Sequence, residues 1–84
     1  MNAVKTKSDV DSAARIAVEA LYGKDIKDFR IRTLLPFPNE RKAEAWDVQV
    51  VFLSNGLQYT VDLLINQKDG QVTNARLIDT MTPL

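Results

Sequence analysis

Between Trp46 and Ile65 the chain reads Trp-Asp-Val-Gln-Val-Val-Phe-Leu-Ser, then Asn55-Gly56, then Leu-Gln-Tyr-Thr-Val-Asp-Leu-Leu-Ile. Few arrangements are open to a chain that contains this stretch. Two alternating apolar runs joined by Asn-Gly predict a tight β-hairpin, because a type I′ turn needs φ > 0 at both central residues and these two types tolerate it. A two-residue loop places Ser54 opposite Leu57, Phe52 opposite Tyr59, Val50 opposite Val61, Val48 opposite Leu63 and Trp46 opposite Ile65. All the large apolar side chains then fall on one face, so turn chemistry and hydrophobic alternation select the same register.

The flanking segments supply what such a hairpin needs. Residues 1–7 are polar and aperiodic and predict a frayed tail. A helix over about 8–22 follows, with Ser8 and Asp11 approximating a capping box and Asp9 adding charge favoured by the helix dipole. Val10, Ala13, Ala14, Ala17, Ala20 and Leu21 make its apolar arc, and Asp11, Arg15 and Glu19 the opposite row. Small alanine side chains predict a helix lying close to a sheet with no deep pocket between them. Gly23 is the expected C-terminal cap, followed by Lys24.

From about 28–35 the period becomes two, with Phe29, Ile31, Thr33 and Leu35 on one face. Pro36-Phe37-Pro38-Asn39 ends that strand, and Glu40 to Glu44 form a charged loop. The hairpin strands occupy about 45–54 and 57–66. Asn66 to Gln71 predict a three-residue loop with Gly70 in the left-handed region. A last strand over about 71–79 then sets Ile65 opposite Thr73, Leu63 opposite Ala75, Val61 opposite Leu77, Asp62 opposite Arg76 and Thr60 opposite Ile78. Residues 80–84 are read as a tail, because Pro83 cannot extend a ladder. The expected fold is a single two-layer α+β domain spanning 1–84, one helix on a four-stranded antiparallel meander, with the other sheet face uncovered.

Composition removes several kinds of chemistry. The 84 residues carry eleven basic and eleven acidic side chains, so net charge is zero and no basic footprint for nucleic acid exists. There is no cysteine and no histidine, which removes disulfides, thiolate nucleophiles and the commonest metal ligands. Neither a cofactor nor a metal centre is expected. No segment approaches a membrane span or a signal-peptide core, so the expected location is cytoplasmic and no membrane partner is implied. One small core allows a stability of about 4–12 kcal/mol.

The order of elements, and the wording Ala13-Ala14-Arg15-Ile16-Ala17, Trp46-Asp47-Val48-Gln49-Val50, Gly56-Leu57-Gln58-Tyr59-Thr60-Val61-Asp62 and Asp69-Gly70-Gln71-Val72, resemble PepSY-type and cystatin-like domains. The chain is also similar to the C-terminal region of gas vesicle synthesis protein O. Either resemblance implies a non-enzymatic module that binds protein, as an inhibitory, accessory or assembly unit. A cystatin inhibitory wedge needs Gln-Val-Val-x-Gly. Here Gln49-Val50-Val51-Phe52 is followed by Leu53, and the motif falls within a strand.

Site candidates come from the uncovered face. Val51, Leu53, Leu64 and Ile78 are expected there as a surface for a protein partner or a second copy, with Phe37 as a further contact. Asp47 and Asp62 point outward as diagonal neighbours, roughly 7–8 Å apart between strands, and provide a small-ligand or cation-binding alternative. Asp62 also faces Arg76, which argues for a plain ion pair. Lys24, Lys27, Arg30, Arg32, Arg41 and Lys42 beside Phe37 provide a weaker nucleic-acid alternative. Acidic side chains interleave with that stripe. The expected function is a non-enzymatic protein-interaction or assembly module that acts through the uncovered sheet face.

Overall fold

The computed structural model describes residues 3–82. Among them one helix, α1 (Lys7–Tyr22), precedes β1 (Lys27–Phe37), β2 (Ala45–Ser54), β3 (Leu57–Asn66) and β4 (Val72–Met81). The strands form one antiparallel sheet in the order β1-β2-β3-β4. This is the α+β architecture expected from the sequence. Met1, Asn2, Pro83 and Leu84 lie outside the described residues, so that part of the expected tails has no structural counterpart.

The central hairpin has the register that its turn dictates. Ser54 pairs with Leu57, Phe52 with Tyr59, Val50 with Val61, Val48 with Leu63 and Trp46 with Ile65. Asn55 and Gly56 sit at φ +53° and +77°, the geometry that only a few residue types accept without strain. Six of the inward side chains, Val48, Val50, Phe52, Val61, Leu63 and Ile65, are fully buried against the helix. Each contributes about 1.5–3 kcal/mol of apolar burial. At the turn end Phe52 and Tyr59 stack at 5.5 Å between ring centroids, and Tyr22 of α1 tilts onto both at 5.2 and 5.4 Å.

The N-terminal segment is a strap rather than a frayed tail. Val4 is 4% exposed and belongs to the core. Its N–H donates to the Gln67 carbonyl, and its own carbonyl accepts from Trp46 Nε1, both at 2.9 Å. An indole N–H inside an apolar face must find an acceptor, and this backbone carbonyl supplies it. The helix accordingly starts earlier than Ser8. Thr6 is the N-cap and Asp9 completes the capping box: Asp9 N–H donates to Thr6 Oγ1 at 3.1 Å, and Asp9 Oδ2 accepts from the backbone N–H groups of Thr6 and Lys5 at 3.0 Å.

The buried helix face also differs from the projected arc. Val10, Ala13, Ala14 and Val18 are buried, Ala17 and Tyr22 pack partly, and Ala20 is exposed with Leu21, which is 59% exposed. A twisted sheet under a straight helix moves the contact stripe around the helix along its length, here toward Val18 and Tyr22. Arg15, on the expected polar row, lies over the Phe29 ring of β1 at 4.7 Å, a cation–π contact.

Each edge strand carries two register shifts. In β1 they fall between Lys27 and Arg30 and between Ile31 and Thr33. Asp28 sits at φ +53° within the first. The second reverses the alternation, so Leu34 and Pro36 take the inner positions expected for Thr33 and Leu35. The strand continues through Pro36 to Phe37, where β1 is an edge and no ladder hydrogen bond is lost. In β4 the central pairs hold as expected, Asp62 with Arg76, Leu63 with Ala75 and Val61 with Leu77. Its two ends do not. Asn66 N–H donates to the Gln71 carbonyl at 2.8 Å, so the loop has one more residue than the three expected, with Gly70 at φ +74°. A compensating shift then puts Val72 opposite Ile65, and a second puts Asp79 opposite Thr60 in place of Ile78. Thr80 and Met81, expected in the tail, pair with Tyr59 and Gln58.

Candidate functional site

No element among the described residues lies over the outer face of the sheet, and the register defines its rows. Nearest the open end of the hairpin, Phe37 is opposite Ala45, and Leu35, Asp47, Leu64 and Asn74 form the next line across the strands. Thr33, Gln49, Asp62 and Arg76 follow, then Arg30, Val51, Thr60 and Asp79, and then Lys27, Leu53, Gln58 and Met81.

The five expected contact residues do not share one environment. Val51 is only 3% exposed and Thr60 beside it is buried as well, so Val51 is a structural residue and not a docking contact. Both lie on central strands and are screened from either side by neighbouring side chains, with Arg30 opposite Val51 and Asp79 opposite Thr60. The aliphatic stem of an arginine covers apolar surface while its head stays in water. Leu53 and Leu64 are half-buried on the outer face. Ile78 is exposed but lies in the β4 register shift, outside the row with Val51 and Thr60. Phe37 is 45% exposed and stands on the outer side of β1. Leu35, expected inside, joins it at 61% exposed. Strict alternation gave no sign of Leu35, because a bulge between Ile31 and Thr33 has no residue signature of its own in Ile-Arg-Thr. The surface is therefore built from Leu35, Phe37 and Leu64 with Leu53 further along, and its apolar weight lies away from the Asn-Gly turn.

Within this surface two carboxylates meet. Asp47 of β2 and Asp62 of β3 are diagonal neighbours, Asp47 opposite Leu64 and Asp62 opposite Gln49. Burial pushes the Asp62 carboxyl up to about 6. Its hydrogen bond with Asp47 and the Asp47 charge act in the same direction, and Arg76 across the β3–β4 ladder opposes them. Asp47 Oδ1 is buried and accepts no hydrogen bond. A buried acceptor without a donor costs about 1–3 kcal/mol. The arrangement can hold and release one proton in the range just below neutrality.

Other sequence candidates are not assembled into sites. The basic residues of the expected stripe run along the β1 edge from Lys27, opposite Leu53, past Phe37 into the loop with Arg41 and Lys42. Their two ends are separated by the length of an 11-residue strand, roughly 35 Å. In the Asn66–Gln71 loop the side-chain oxygens serve the turn, Asn66 Oδ1 accepting from Lys68 N–H and Asp69 Oδ1 from Gln71 N–H. No group of three or more His, Cys, Asp or Glu side chains able to hold a metal occurs among the described residues. Close packing of the alanine helix also leaves one margin open. A shallow groove of about 410 Å³ runs between Ala17, Ala20 and Leu21 of α1 and Val72 to Ala75 of β4.

Compared with protein families, curated proteins and solved structures, the chain matches none of them. No helix among the described residues is long and apolar enough to cross a membrane.

Proposed function

We propose that the chain is a small non-enzymatic protein-interaction or assembly module that uses the outer face of its sheet. The observation that carries this reading is the grouping of Leu35, Phe37 and Leu64 on a face that no element of the fold covers. Antiparallel sheets commonly leave one face in water, but they then place polar side chains there. On this face Leu35 and Leu64 stand on either side of Asp47 with Phe37 next along β1, a grouping of the kind that marks association sites. The resemblance to PepSY-type and cystatin-like domains and to gas vesicle synthesis protein O supports the same class of role. No cofactor is needed for it, and a cytoplasmic location is consistent with the reading.

Leu64 is the residue to test, because a lysine at buried Val51 would disrupt the sheet itself. Leu64→Lys and Phe37→Asp are each expected to abolish self-association or partner capture, measured by sedimentation velocity and affinity capture, while leaving the unfolding transition in place. Unchanged association in both folded variants would remove the outer face from consideration. The small-ligand or cation alternative draws on the meeting of Asp47 and Asp62. Titration with Ca²⁺ or Mg²⁺ followed by calorimetry distinguishes it, and heat absent from wild type at millimolar metal would exclude it.

A further inference from the structure

We propose that the β4 edge pairs antiparallel with the β4 edge of a second copy of this chain, joining two four-stranded sheets into one, with Arg76 of each copy opposite Asp79 of the other. The surface is the rim of the sheet and not its outer face, so it is independent of the reading above and leaves that face free.

The two edges of the sheet are built differently. An open edge is a row of unpaired N–H and C=O groups that accepts another strand unless something blunts it. β1 is blunted by Lys27, Asp28, Arg30 and Arg32, by Pro36, and by two register shifts with Asp28 at φ +53° in the first. Its inner side is also engaged, since Phe29, Ile31 and Leu34 pack on the core. β4 has no proline, and its only charges are Arg76 and Asp79. Every residue of β4 after Val72 is exposed, although Ala75 and Leu77 stand opposite the fully buried Leu63 and Val61. Leu77, Ile78 and Met81 are 49%, 42% and 49% exposed, and Leu21, at 59%, lines the adjoining groove between α1 and the start of β4. The apolar, lightly charged edge is therefore β4.

β4 complements itself in one register. A two-fold pair sets residue i opposite j and j opposite i. With Arg76 opposite Asp79, the other pairs are Ala75 with Thr80, Asn74 with Met81 and Leu77 with Ile78. In an unbroken strand residues three apart point to opposite faces, and this register would set outward side chains against inward ones. The register shift at Ile78 removes the conflict. Asn74, Arg76, Asp79 and Met81 all lie on the outer face, opposite Leu64, Asp62, Thr60 and Gln58, while Ala75 and Thr80 lie on the inner face, opposite Leu63 and Tyr59. Each pair outside the shift joins side chains of one face, and the shift brings the exposed Leu77 and Ile78 of the two copies together.

Charge selects the same register. Asp79 faces Thr60 on its own chain, with no cation opposite it, and Arg76 faces Asp62. A guanidinium has five donors, enough for Asp62 on one side and Asp79 of the second copy on the other. A two-fold axis at Arg76 would oppose two arginines, and one at Leu77 would set outward Asp79 against inward Ala75. The remaining charges stand away from this edge. Lys68 and Asp69, of opposite sign, lie in the loop beyond the paired segment, and Lys24 and Asp25 lead into β1. Arg15 lies over Phe29 of β1, with Asp11 and Glu19 on the same helical row. Lys27, Arg30 and Arg32 belong to β1, three strands away, about 14 Å and past the screening length at physiological salt.

Sedimentation equilibrium of the full chain at neutral pH tests the proposal, with amide hydrogen exchange followed at low and high protein concentration and circular dichroism confirming the fold of each variant. Wild type is expected to dimerise, with exchange slowed within residues 74–81 and unchanged along β1. Asp79→Arg alone sets cations opposite each other and Arg76→Asp alone sets anions opposite each other, so each should weaken dimerisation by about tenfold or more. Mixed together, the two variants regain both opposite-charge pairs and should form a heterodimer within about threefold of wild-type affinity. Leu64→Lys, on the outer face, should dimerise as wild type does, so a loss of partner capture in that variant is read separately. Single variants that dimerise as tightly as wild type, or a mixture no tighter than either alone, would overturn the Arg76–Asp79 register. Wild type that stays monomeric at millimolar concentration, with β4 exchange independent of concentration, would overturn the second copy as occupant. Dimers lost in Leu64→Lys, with β4 exchange unchanged on dimerisation, would overturn the edge and move the contact to the outer face.

Discussion

The two faces of the β2–β3 hairpin come from the same turn and the same twenty ladder positions, yet they follow different rules. On the inner face, Val48, Val50, Phe52, Val61, Leu63 and Ile65 are buried, and Trp46 and Tyr59 are half-buried against the same core. On the outer face buried Val51 and Thr60 share the surface with half-buried Leu64 and a pair of neighbouring carboxylates, of which Asp62 is pushed up to about 6. The difference follows from what each face meets. A face covered by a helix is selected for volume alone, and its side chains are interchangeable within the limits of packing. A face left open must remain compatible with water, so polar and apolar groups are mixed there and their charge states matter. Burial is therefore concentrated on one side, and titratable charge on the other.

Substitutions that act on one face only should separate these roles. Phe52→Ala, in the aromatic group with Tyr22 and Tyr59, should lose about 3–5 kcal/mol in chemical denaturation. For a chain of this size that approaches global unfolding. Trp46→Phe keeps much of the ring but leaves the Val4 carbonyl without its indole donor. It should cost about 1–2 kcal/mol and accelerate proteolysis of the N-terminal strap. An unchanged cleavage rate would show that the strap is held by Gln67 alone.

The outer face should respond to pH instead. Asp62 in the folded state binds its proton more tightly than the ordinary value of 3.8, with a folded value of about 6. Its contribution is fully present below 3.8 and is lost as the pH rises through about 6, so stability should increase on acidification across that window. Asp9, held below its ordinary value by the N–H groups of Lys5 and Thr6, acts in the opposite sense and only at pH values below that window. Asp62→Asn should flatten the dependence between pH 4 and 6, as read from denaturation midpoints at matched ionic strength. The smallest effect is expected at Leu64→Lys, within about 0.5 kcal/mol of wild-type stability. A larger loss there would mean that the outer face also supports the fold.

Legibility in the sequence follows the same division. The central hairpin was readable to the residue, because Asn55-Gly56 and the alternation on both strands are local signals that agree. The central pairs of the β3–β4 ladder were readable by counting outward from Gly70. The compensated ends were not, since an added loop residue and a bulge at Thr73 cancel each other in the middle of the strand. On the candidate site, Asp47, Asp62 and Arg76 were placed correctly on the outer face. Val51 was placed on the right side of the sheet but in the wrong environment, and Leu35 on the wrong side.

The chain by itself determined the element order, the turn and the inner face, because these depend on backbone conformational preference and on periods of 2 and 3.6 residues that are written in adjacent positions. Tertiary structure alone decided that Val4 straps the core, that the β1 bulge turns Leu35 outward, and that Asp47 Oδ1 loses its contact with water. Each of these depends on sheet twist and on neighbours distant in sequence, Gln67 for Val4 and Asp62 for Asp47. No local pattern encodes the desolvation of a side chain by partners that only the folded sheet brings together.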